Sequence, residues 1–355
     1  MTANATLRDV ARLAGVSLGT ASHALNNRNN VLPETRARVL DAATTLGYSS
    51  KEPTMTNGRA HGLAVIGMLT KDTGMPAETN PFFSHVQYGV ESECRVHNIS
   101  LMYANVEVDD SNRPMNWPRM IDDRHVDGLI VVGTFIEDAV GGMKRRLNKP
   151  IVLIDSYAPS FAFDSVLIDN ATGVRSAVKH LLDHGHTHIG LIGWNPASPP
   201  DIHERRDGYL QALRNCGITH TYIEESKMNR HDGYVAAHRL LKRAPQVTAI
   251  MVTNDDTAIG VMNAAQDMGM RVPHDLSIIG FDNIDLTAEV KPALTTVHVH
   301  KTWLGKLAVQ RLIERASHSD QPQLSVTVAT QLIERESVAR PHAAHAVKGG
   351  DGHKP

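Results

Sequence analysis

From residue 63 onward, short apolar runs alternate with amphipathic stretches of helical periodicity. The runs predict strands at 63–69, 100–104, 128–132, 151–154, 166–168, 189–192, 249–252 and 276–281. Helices are predicted at 81–97, 136–147, 170–184, 203–216, 231–243, 256–268 and 302–316. Such alternation is typical of an α/β protein whose parallel sheet is covered by helices. Because eight strands are many for one open sheet, we expect two Rossmann-like lobes with a ligand between them, beyond the C-terminal ends of the strands.

The N-terminal stretch 6–26, TLRDVARLAGVSLGTASHALN, predicts two short helices joined by a tight turn. Thr6 can N-cap the first helix, with Asp9 three residues on as its capping-box partner. Gly15 permits the turn, and Ser17 can cap the second helix. An ordinary helical hairpin is the alternative interpretation.

A third helix is predicted from Pro33, a residue favoured in the first turn, to about Leu46. Its buried stripe is expected to comprise Val39, Leu40, Ala43 and Leu46. Three short helices in this order are typical of a helix-turn-helix DNA-binding head, whose second helix enters the major groove.

The head resembles the LacI/GalR family of bacterial transcription regulators, in the runs TLxDVAxxAGVSxxTxSxxLN and ETRxRVLxAAxxLGY. The body resembles that family's effector domain in the following segments: Asn80-Pro81-Phe82-Phe83, Asp127-Gly128-Leu129-Ile130, Gly185-His186, Arg205, Asp207-Gly208-Tyr209, Asn254-Asp255 and Gly280-Phe281-Asp282. The resemblance implies a three-helix head followed by two lobes of the periplasmic-binding-protein type.

The resemblance also implies a division of the chain: a helix-turn-helix domain at 1–48, a hinge or linker at 49–62, and an effector-binding and dimerisation domain at 63–340. Within that domain, lobe 1 would comprise about 63–161 and 294–322, and lobe 2 about 162–293 and 323–340. The tail, 341–355, has no apolar periodicity and is predicted to be disordered.

We expect the DNA contacts to come mainly from the exposed side of the second helix. The predicted DNA-binding residues are Thr6, Ser17, Leu18, Gly19, Thr20, Ser22, His23, Asn26 and Met55. His23 stands where the family usually has an arginine, which commonly reads guanine. It could therefore change the preferred operator base, contact a phosphate or simply be solvated.

In the family the linker forms a hinge helix on DNA, and a leucine from each subunit wedges into the minor groove. Met55 occupies the leucine position. However, Pro53 and Gly58 bracket only four residues, so a flexible tether is an equally open interpretation.

The resemblance and the strand ends together suggest an effector site formed by Phe82, Phe83, Asp155, Arg205, Asn254 and Asp282. The aromatic rings can stack on a sugar or base, carboxylates accept hydrogen bonds from ligand hydroxyls, and a guanidinium offers five donors.

Several alternatives stay open for these residues. We expect Phe82 in the cleft and Phe83 partly buried. Asp155 could instead cap a loop, and Asn254 or Asp255 could cap the following helix. Arg206 replaces Arg205 if the register slips.

Two positions depart from the family's pocket and suggest a more apolar site, or a ligand that is smaller or bound in a different pose. Met228 stands where many members place an aromatic ring. The strand that ends near Val131-Val132 offers no polar side chain.

Composition favours a cytoplasmic protein. Residues 1–62 hold seven basic and four acidic residues, a net charge of +3, and the whole chain carries −2, which leaves −5 for the rest. A basic head suits phosphate contact. No signal peptide or membrane-spanning run is found, and Cys94 and Cys216 are expected to be buried thiols.

The sequence disfavours enzymes, cofactors and metals. The first strand is not followed by G-x-G-x-x-G, and the chain contains no Walker loop or nucleophile motif. His184, His186 and His188 are expected to be loop residues rather than metal ligands.

The predicted function is a homodimeric transcription regulator, in the expected form of a repressor. It would bind a roughly palindromic double-stranded operator under the control of a small molecule, most simply a carbohydrate. The alternative is a small-molecule binding protein with no DNA-dependent role.

Overall fold

The computed structural model describes residues 6–25, 31–46, 62–71, 80–109, 113–122, 125–133, 135, 137–156, 158, 160–161 and 163–342. The chain divides into two compact units, Met1–Gly62 and Leu63–Pro355. Asn26, Met55, the predicted hinge up to residue 61 and the tail beyond residue 342 lie outside the described residues.

The N-terminal unit contains the three predicted helices, α1 (Leu7–Ala14), α2 (Leu18–Leu25) and α3 (Pro33–Thr45). Small side chains dominate its core, which allows the helices to approach closely. The buried residues are Val10, Ala11, Ala14, Ala21, Ala24, Val39, Ala42 and Ala43.

The buried stripe of α3 differs from the prediction. It is formed by Val39, Ala42 and Ala43, whereas Leu40 is 48% exposed and Leu46 is 36% exposed. Residues at i, i+3 and i+4 share one helix face, and a residue one position further on is rotated by about 100°. Leu40 is therefore turned away from the face that Val39 buries.

The predicted caps of the head are confirmed. The amide of Asp9 donates to Oγ1 of Thr6 at 3.3 Å, and the amide of Thr6 donates to the Asp9 carboxylate at 3.0 Å, which completes a capping box. Gly15 ends α1 in the left-handed region at φ +65°. Oγ of Ser17 accepts from the amide of Thr20 at 3.0 Å.

We expect Thr6→Ala to lower the stability of the head by about 1 kcal/mol, because α1 loses the acceptor for one of its unpaired amides. Amide hydrogen exchange of α1 in the full chain measures this change. Thr6→Ser retains the hydroxyl and serves as the control. Equal protection of α1 in the alanine and serine variants would show that the cap contributes nothing.

The first lobe contains a six-stranded, all-parallel sheet in the order β11-β5-β4-β3-β1-β2. Its strands are β1 (Val65–Lys71), β2 (Ser100–Val106), β3 (Gly128–Val132), β4 (Ile151–Ile154), β5 (Asp164–Ile168) and β11 (Ser325–Val328). Its helices are α4 (Phe83–Val96), α5 (Arg119–Asp122), α6 (Glu137–Leu147) and α12 (Lys301–Ser317).

The second lobe contains another six-stranded sheet, in the order β12-β10-β9-β8-β6-β7, with only β12 antiparallel to its neighbour. Its strands are β6 (Ile189–Trp194), β7 (Tyr222–Glu225), β8 (Ala249–Val252), β9 (Ser277–Asp282), β10 (Thr295–His298) and β12 (Gln331–Ile333). Its helices are α7 (Asn170–Asp183), α8 (Pro200–Asn215), α9 (Arg230–Arg243), α10 (Asp255–Asp267) and α11 (Leu286–Glu289).

The chain crosses between the lobes three times, but each crossing lies later than predicted. β5 still pairs with β4, β10 still pairs with β9, and β11 still pairs with β5. The predicted boundaries at 161/162, 293/294 and 322/323 are therefore wrong by several residues. Each crossing follows a strand, and the ladder hydrogen bonds of that strand decide which lobe it joins.

Helix α8, which carries candidate ligand-binding residues, packs closely against α7. At Gly208, an added Cβ would lie only 2.6 Å from the carbonyl oxygen of Ala171. A side chain at this position would push the two helices apart. Gly208 therefore helps to set the position of α8 relative to the second sheet.

Two further sequence expectations concern cysteines and membrane spans. Cys94 is buried as predicted, but Cys216 is exposed, because it follows the last turn of α8 at its C-cap. Among the described residues, no helix combines the length and apolar character needed to span a membrane.

Candidate effector site and DNA-contacting surface

A cavity of about 540 Å³ lies between the two lobes, at the C-terminal ends of the strands. Strands β1, β3 and β9 reach it with their last residues, and the loops that follow β4 and β8 complete it. All six residues of the predicted effector site line it: Phe82, Phe83, Asp155, Arg205, Asn254 and Asp282. This is the usual position of a ligand in an open α/β sheet.

The two phenylalanines at the start of α4 form one wall of the cavity. Their ring centroids are 5.5 Å apart and the rings are nearly perpendicular, at 86°. Both side chains are half-buried. The Asn80 side chain accepts hydrogen bonds from the amides of Phe82 and Phe83, at 3.0 and 3.2 Å, and thus fixes the backbone that carries the rings.

Arg205 is the most constrained charged group in the cavity. It is 3% exposed, and its guanidinium carbon lies 3.8 Å from the ring centroid of Phe281. Nε donates to Oδ1 of Asn170 at 2.9 Å, and Nη1 donates to the carbonyl oxygen of Thr253 at 2.5 Å. Nη1 also lies 3.4 Å from Oδ1 of Asp282.

Arg206, the alternative to Arg205, is directed to another environment. Its guanidinium carbon lies 4.7 Å from the ring centroid of Trp194, and Nη1 donates to Asp207 at 3.1 Å. The structure therefore places Arg205, and not Arg206, in the cavity.

The predicted acceptors Asp155 and Asp282 both have left-handed backbone conformations, with φ of +50° and +106°. Such values are costly for residues other than glycine and occur where the surroundings enforce them, often at functional sites. The amide of Asp155 donates to the carbonyl oxygen of Val166 at 2.9 Å. This bond ties the strained loop after β4 to β5.

Two buried titratable side chains, Lys301 and Asp255, hold the loop after β9. Nζ of Lys301 donates to the carbonyl oxygens of Asp282 and Asn283, at 2.5 and 3.0 Å. The Asp255 carboxylate accepts from the amide of Ile284 at 2.9 Å and from the Thr296 hydroxyl at 2.6 Å. The Asp282 side chain is thus presented to the cavity by a loop that is anchored on both sides.

Burial makes the ionised carboxylates of this region costly. It raises the pKa of Asp155 well above its ordinary value, with the charge of Asp201 adding to the effect and Arg205 opposing it. Burial also raises the pKa of Asp282, against the attraction of Arg205 and Lys301. Asp255 has its pKa raised to about 8 by burial and then by the charge of Asp282.

Asn254 lines the cavity and also caps α10. Its Oδ1 accepts from the amide of Thr257 at 3.2 Å, so the capping interpretation is confirmed for Asn254. Asp255, the other candidate cap, is fully buried and instead holds the loop after β9.

Four charged residues that line the cavity were not predicted: Lys71, Asp201, Arg230 and Asp256. Lys71 ends β1, two residues beyond the predicted end of that strand. Asp201 lies in the first turn of α8, where Pro199-Pro200 is a signal for a helix start. Arg230 and Asp256 form an ion pair, with Nη2 2.7 Å from Oδ1.

The loop histidine His186 has a structural role. It is almost fully buried, with Nδ1 2.9 Å from the Thr248 hydroxyl and Nε2 2.8 Å from the carbonyl oxygen of Ala339. Burial lowers its pKa to about 4, so it is neutral at pH 7. Within the described part of the chain, no three His, Cys, Asp or Glu side chains are grouped so that they could hold a metal ion.

In the head, the predicted DNA-contacting residues that the structure describes lie along α2 and just before it. Ser17, Leu18 and Gly19 are exposed, and Thr20, Ser22 and His23 are partly exposed. The Thr6 hydroxyl, also on the predicted list, donates to Asp9 at 2.6 Å within the capping box.

Comparison with known proteins gives two family matches. Residues 6–51 match the bacterial regulatory proteins of the lacI family, and residues 178–338 match a periplasmic binding protein-like domain. The chain is 33% identical over 342 residues to the HTH-type transcriptional repressor PurR of Mannheimia succiniciproducens, which covers 95% of this chain and 99% of that protein.

Solved structures show the same architecture. A LacI family transcriptional regulator from Enterococcus faecium with bound ribose has a TM-score of 0.66 and 28% identity, covering 78% of this chain and 99% of that one. The Lac repressor dimer bound to operator and the anti-inducer ONPF has a TM-score of 0.70 and 23% identity, covering 95% and 100%. At 23% identity, the similarity to the Lac repressor concerns the fold alone.

Proposed function

Because this chain belongs to the LacI family of bacterial regulatory proteins and is a DNA-binding transcriptional repressor with a ligand-binding domain, we propose that a small-molecule effector, most simply a sugar, binds in the cavity between its lobes. The observation that carries this proposal is the buried Arg205–Asp282 pair in a cavity walled by two phenylalanines. It combines donors, acceptors and an aromatic surface, which together suit a polyhydroxylated ring.

Each predicted effector residue has a role in this proposal. Phe82 and Phe83 pack against an apolar face of the ligand. Asp155 and Asp282 accept from its hydroxyls, and Arg205 donates to its oxygens. A regulator with 28% identity to this chain was solved with bound ribose, which supports a carbohydrate of similar chemistry here.

On the DNA side, we propose that α2 enters the major groove and that its exposed residues contact bases and phosphates. Two copies of the chain would bind the two halves of a roughly palindromic operator, as helix-turn-helix dimers do. The effector changes operator affinity by binding one arrangement of the lobes better than another.

A thermal-shift screen of the full chain against monosaccharides, disaccharides, polyols and nucleosides tests the effector proposal. A ligand at a hundredfold its Kd adds about 2.7 kcal/mol to the free energy of unfolding. Compounds that stabilise the protein are then added to an operator complex, found by selection from random duplexes, and the operator affinity is measured by fluorescence anisotropy.

The variants Arg205→Ala and Asp282→Ala show whether a stabilising compound occupies the cavity. We expect both variants to lose the thermal shift. If no compound stabilises the chain and both variants behave like the wild type, the cavity has no effector role.

The double role of Asn254 gives a separate prediction. In Asn254→Ser the hydroxyl can still cap α10, so we expect the free energy of unfolding to change by only a few tenths of a kcal/mol. Ligand affinity should fall by about tenfold, because one good hydrogen bond is worth about 1 kcal/mol. Calorimetric titration with a compound from the screen measures the affinity.

Asn254→Ala is the companion variant, and it should lose the cap as well as the ligand contact. Its thermal unfolding should therefore show an additional loss of about 1 kcal/mol. Full ligand affinity in the serine variant would mean that Asn254 acts only as a helix cap.

A further inference from the structure

We propose that the first lobe makes its own contact with the DNA backbone, through a basic edge at the C-terminal end of α6. Four exposed cations form this basic edge: Lys144, Arg145, Arg146 and Lys149. The inference goes beyond the proposed function, in which only the head contacts DNA, and it rests on the DNA binding of the head. The partner is the phosphate backbone of the duplex that the same chain holds, and the contact carries no base recognition.

The first observation is the distribution of charge along α6. The first turn of this helix is acidic, with Glu137 and Asp138, and the last turn carries three of the four cations. Cations near a helix C-terminus also favour the helix dipole, but Lys149 lies beyond the end of the helix, where that effect has faded. The chain after residue 62 carries −5, so four cations within six residues are a local reversal of its charge.

The second observation is which of these cations have partners within the protein. Nη1 of Arg146 lies 2.9 Å from Oδ1 of Asp122, and Nζ of Lys144 lies 5.1 Å from the ring centroid of Phe163. Neither Arg145 nor Lys149 has a carboxylate oxygen within 4.0 Å among the residues that the structure describes. Two of the four charges are therefore presented to solvent without a counter-ion from the described protein.

The basic edge lies at the end of the first sheet that is opposite to the effector cavity. All strands of this sheet are parallel, and β4 begins four residues after the end of α6, so the cations lie where the strands begin. Gly67 of β1 pairs with Leu129 of β3, which pairs with Ile151 of β4. The start of β1 is thus two strands, or about 10 Å, from the start of β4.

The chain that comes from the head enters the body at this same end of the sheet. The Asp127 carboxylate accepts from the amides of Ala64 and Val65, at 2.7 and 3.0 Å, and fixes the first residues of the body beside the start of β3. The head is therefore connected to the end of the lobe that carries the cations, and not to the end that lines the cavity.

Charge identifies the partner of the basic edge. The head carries a net charge of +3, so it does not complement a cationic surface. A DNA duplex carries one negative charge per about 1.7 Å of its axis, and it is held by a head that is covalently joined to this lobe. A second contact within one complex is intramolecular, so it adds to the affinity even where it would be weak alone.

The test removes the two cations that have no carboxylate partner, by Arg145→Gln with Lys149→Gln in the full chain. Fluorescence anisotropy measures affinity between 50 and 200 mM KCl for the selected operator, extended by about one helical turn on each side, and for a scrambled duplex. The plot of log affinity against log salt should become less steep by about 2 for each bound subunit, because each lost phosphate contact removes about 0.9. Affinity at 50 mM KCl should fall by about tenfold or more, equally for both duplexes.

Two matched variants serve as controls. Arg145→Lys with Lys149→Arg retains both charges and should keep the wild-type slope. Lys227→Gln with Lys242→Gln removes the same charge from exposed positions of the second lobe and should also keep it. The proposal is overturned if the Arg145 and Lys149 glutamine pair keeps the wild-type slope, or if the control pair in the second lobe loses as much.

Cross-linking gives a second measurement that does not depend on affinity. Lys149→Cys, in a chain that also carries Cys216→Ser, is labelled with an azidophenacyl group and irradiated with the operator duplex. The remaining native thiol, Cys94, is buried, and burial raises its pKa to about 12, so it resists labelling. We expect the label at position 149 to cross-link to DNA and a label at position 242 to remain unlinked. Absence of a cross-link from position 149 would contradict the proposal.

Failure of this inference is distinguishable from failure of the proposal that α2 enters the major groove. A substitution on the exposed side of α2, such as Gly19→Glu, should lower operator affinity more than affinity for the scrambled duplex. If it does so while the glutamine pair changes nothing, the role of α2 stands and the basic edge has no DNA contact. If Gly19→Glu leaves operator affinity unchanged, the role of α2 is contradicted, whatever the basic edge does.

Discussion

Removal of residues 1–62 should abolish sequence-specific DNA binding and leave ligand binding intact. The head has its own buried core and separates from the body between Gly62 and Leu63. It also carries the net positive charge, whereas the remainder of the chain carries −5. Specific complexes are typically 10³- to 10⁷-fold tighter than non-specific ones, so we expect a loss of at least about 10³-fold.

Fluorescence anisotropy with the selected operator and calorimetric titration with a ligand from the screen measure the two activities.

A point variant tests the DNA-contacting surface of α2 within the intact chain. Gly19 is exposed on α2, and an added Cβ would meet no atom closer than 3.8 Å. Gly19→Glu should therefore weaken operator binding through charge and bulk, without disturbing the core of the head.

Thr45→Glu is the matched control, because it adds the same charge at an exposed position on α3. It should retain most of the operator affinity. Sequence-specific binding by the truncated chain would place the DNA-binding surface in the body. That result would contradict the assignment of operator binding to the head.

Replacement of Arg205 by alanine should cause the largest loss at the effector site. The variant removes the donor to Asn170 and Thr253 and the positive charge beside Asp282. Breaking a buried pair by removing one partner costs about 3–5 kcal/mol of stability, because the other charge stays buried. We also expect ligand affinity to fall by about 10²-fold or more, consistent with the loss of a charged hydrogen-bonding group worth about 3 kcal/mol.

The loss of stability in Arg205→Ala should depend on pH. Arg205 lowers the pKa values of Asp155, Asp201 and Asp282, which burial raises. Without the guanidinium, these folded-state pKa values rise further above their unfolded values. The folded state then holds more protons than the unfolded state, so stability falls as the pH rises from about 4 towards 8.

Urea unfolding at pH 5 and pH 8 checks this sign, and the difference from wild type should be larger at pH 8. Arg206→Ala, one residue further along α8, is the control, since Arg206 lies over Trp194. Arg205→Lys retains a charge but lacks the planar fork, and should have an intermediate affinity. Equal destabilisation of Arg205→Ala at both pH values would show that the acids are not held by this arginine.

The sequence predicted the elements whose periodicity is strong. The eight predicted strands all exist, and the caps at Thr6 and Ser17 are present. The four strands that were not predicted, β7, β10, β11 and β12, have only three or four residues. β7, β11 and β12 lie at sheet edges and contain exposed or polar residues, so they lack the apolar run that signals a buried strand.

The site residues that the sequence did not predict were missed for a related reason. The helix predicted to begin at 203 begins at Pro200, and the strand predicted to end at 69 continues to Lys71. Asp201 and Lys71 therefore lie just outside the helix and the strand that the sequence predicts. Element ends are the positions that periodicity defines least well, and the ends of these elements form the cavity. The lobe crossings depend on hydrogen bonds between distant strands, which periodicity does not encode.

The last two strands determine when each lobe can finish folding during synthesis on the ribosome. β11 completes the first sheet and β12 completes the second, with only two residues between them. During synthesis, at about 5–20 residues per second, the head can form its core long before the body is finished. The first sheet is complete only when residues up to 328 have left the exit tunnel, and the second only when residues up to 333 have done so, so both lobes become complete almost at the same moment. Termination before β11 would release a folded DNA-binding head on a body in which both lobes are incomplete.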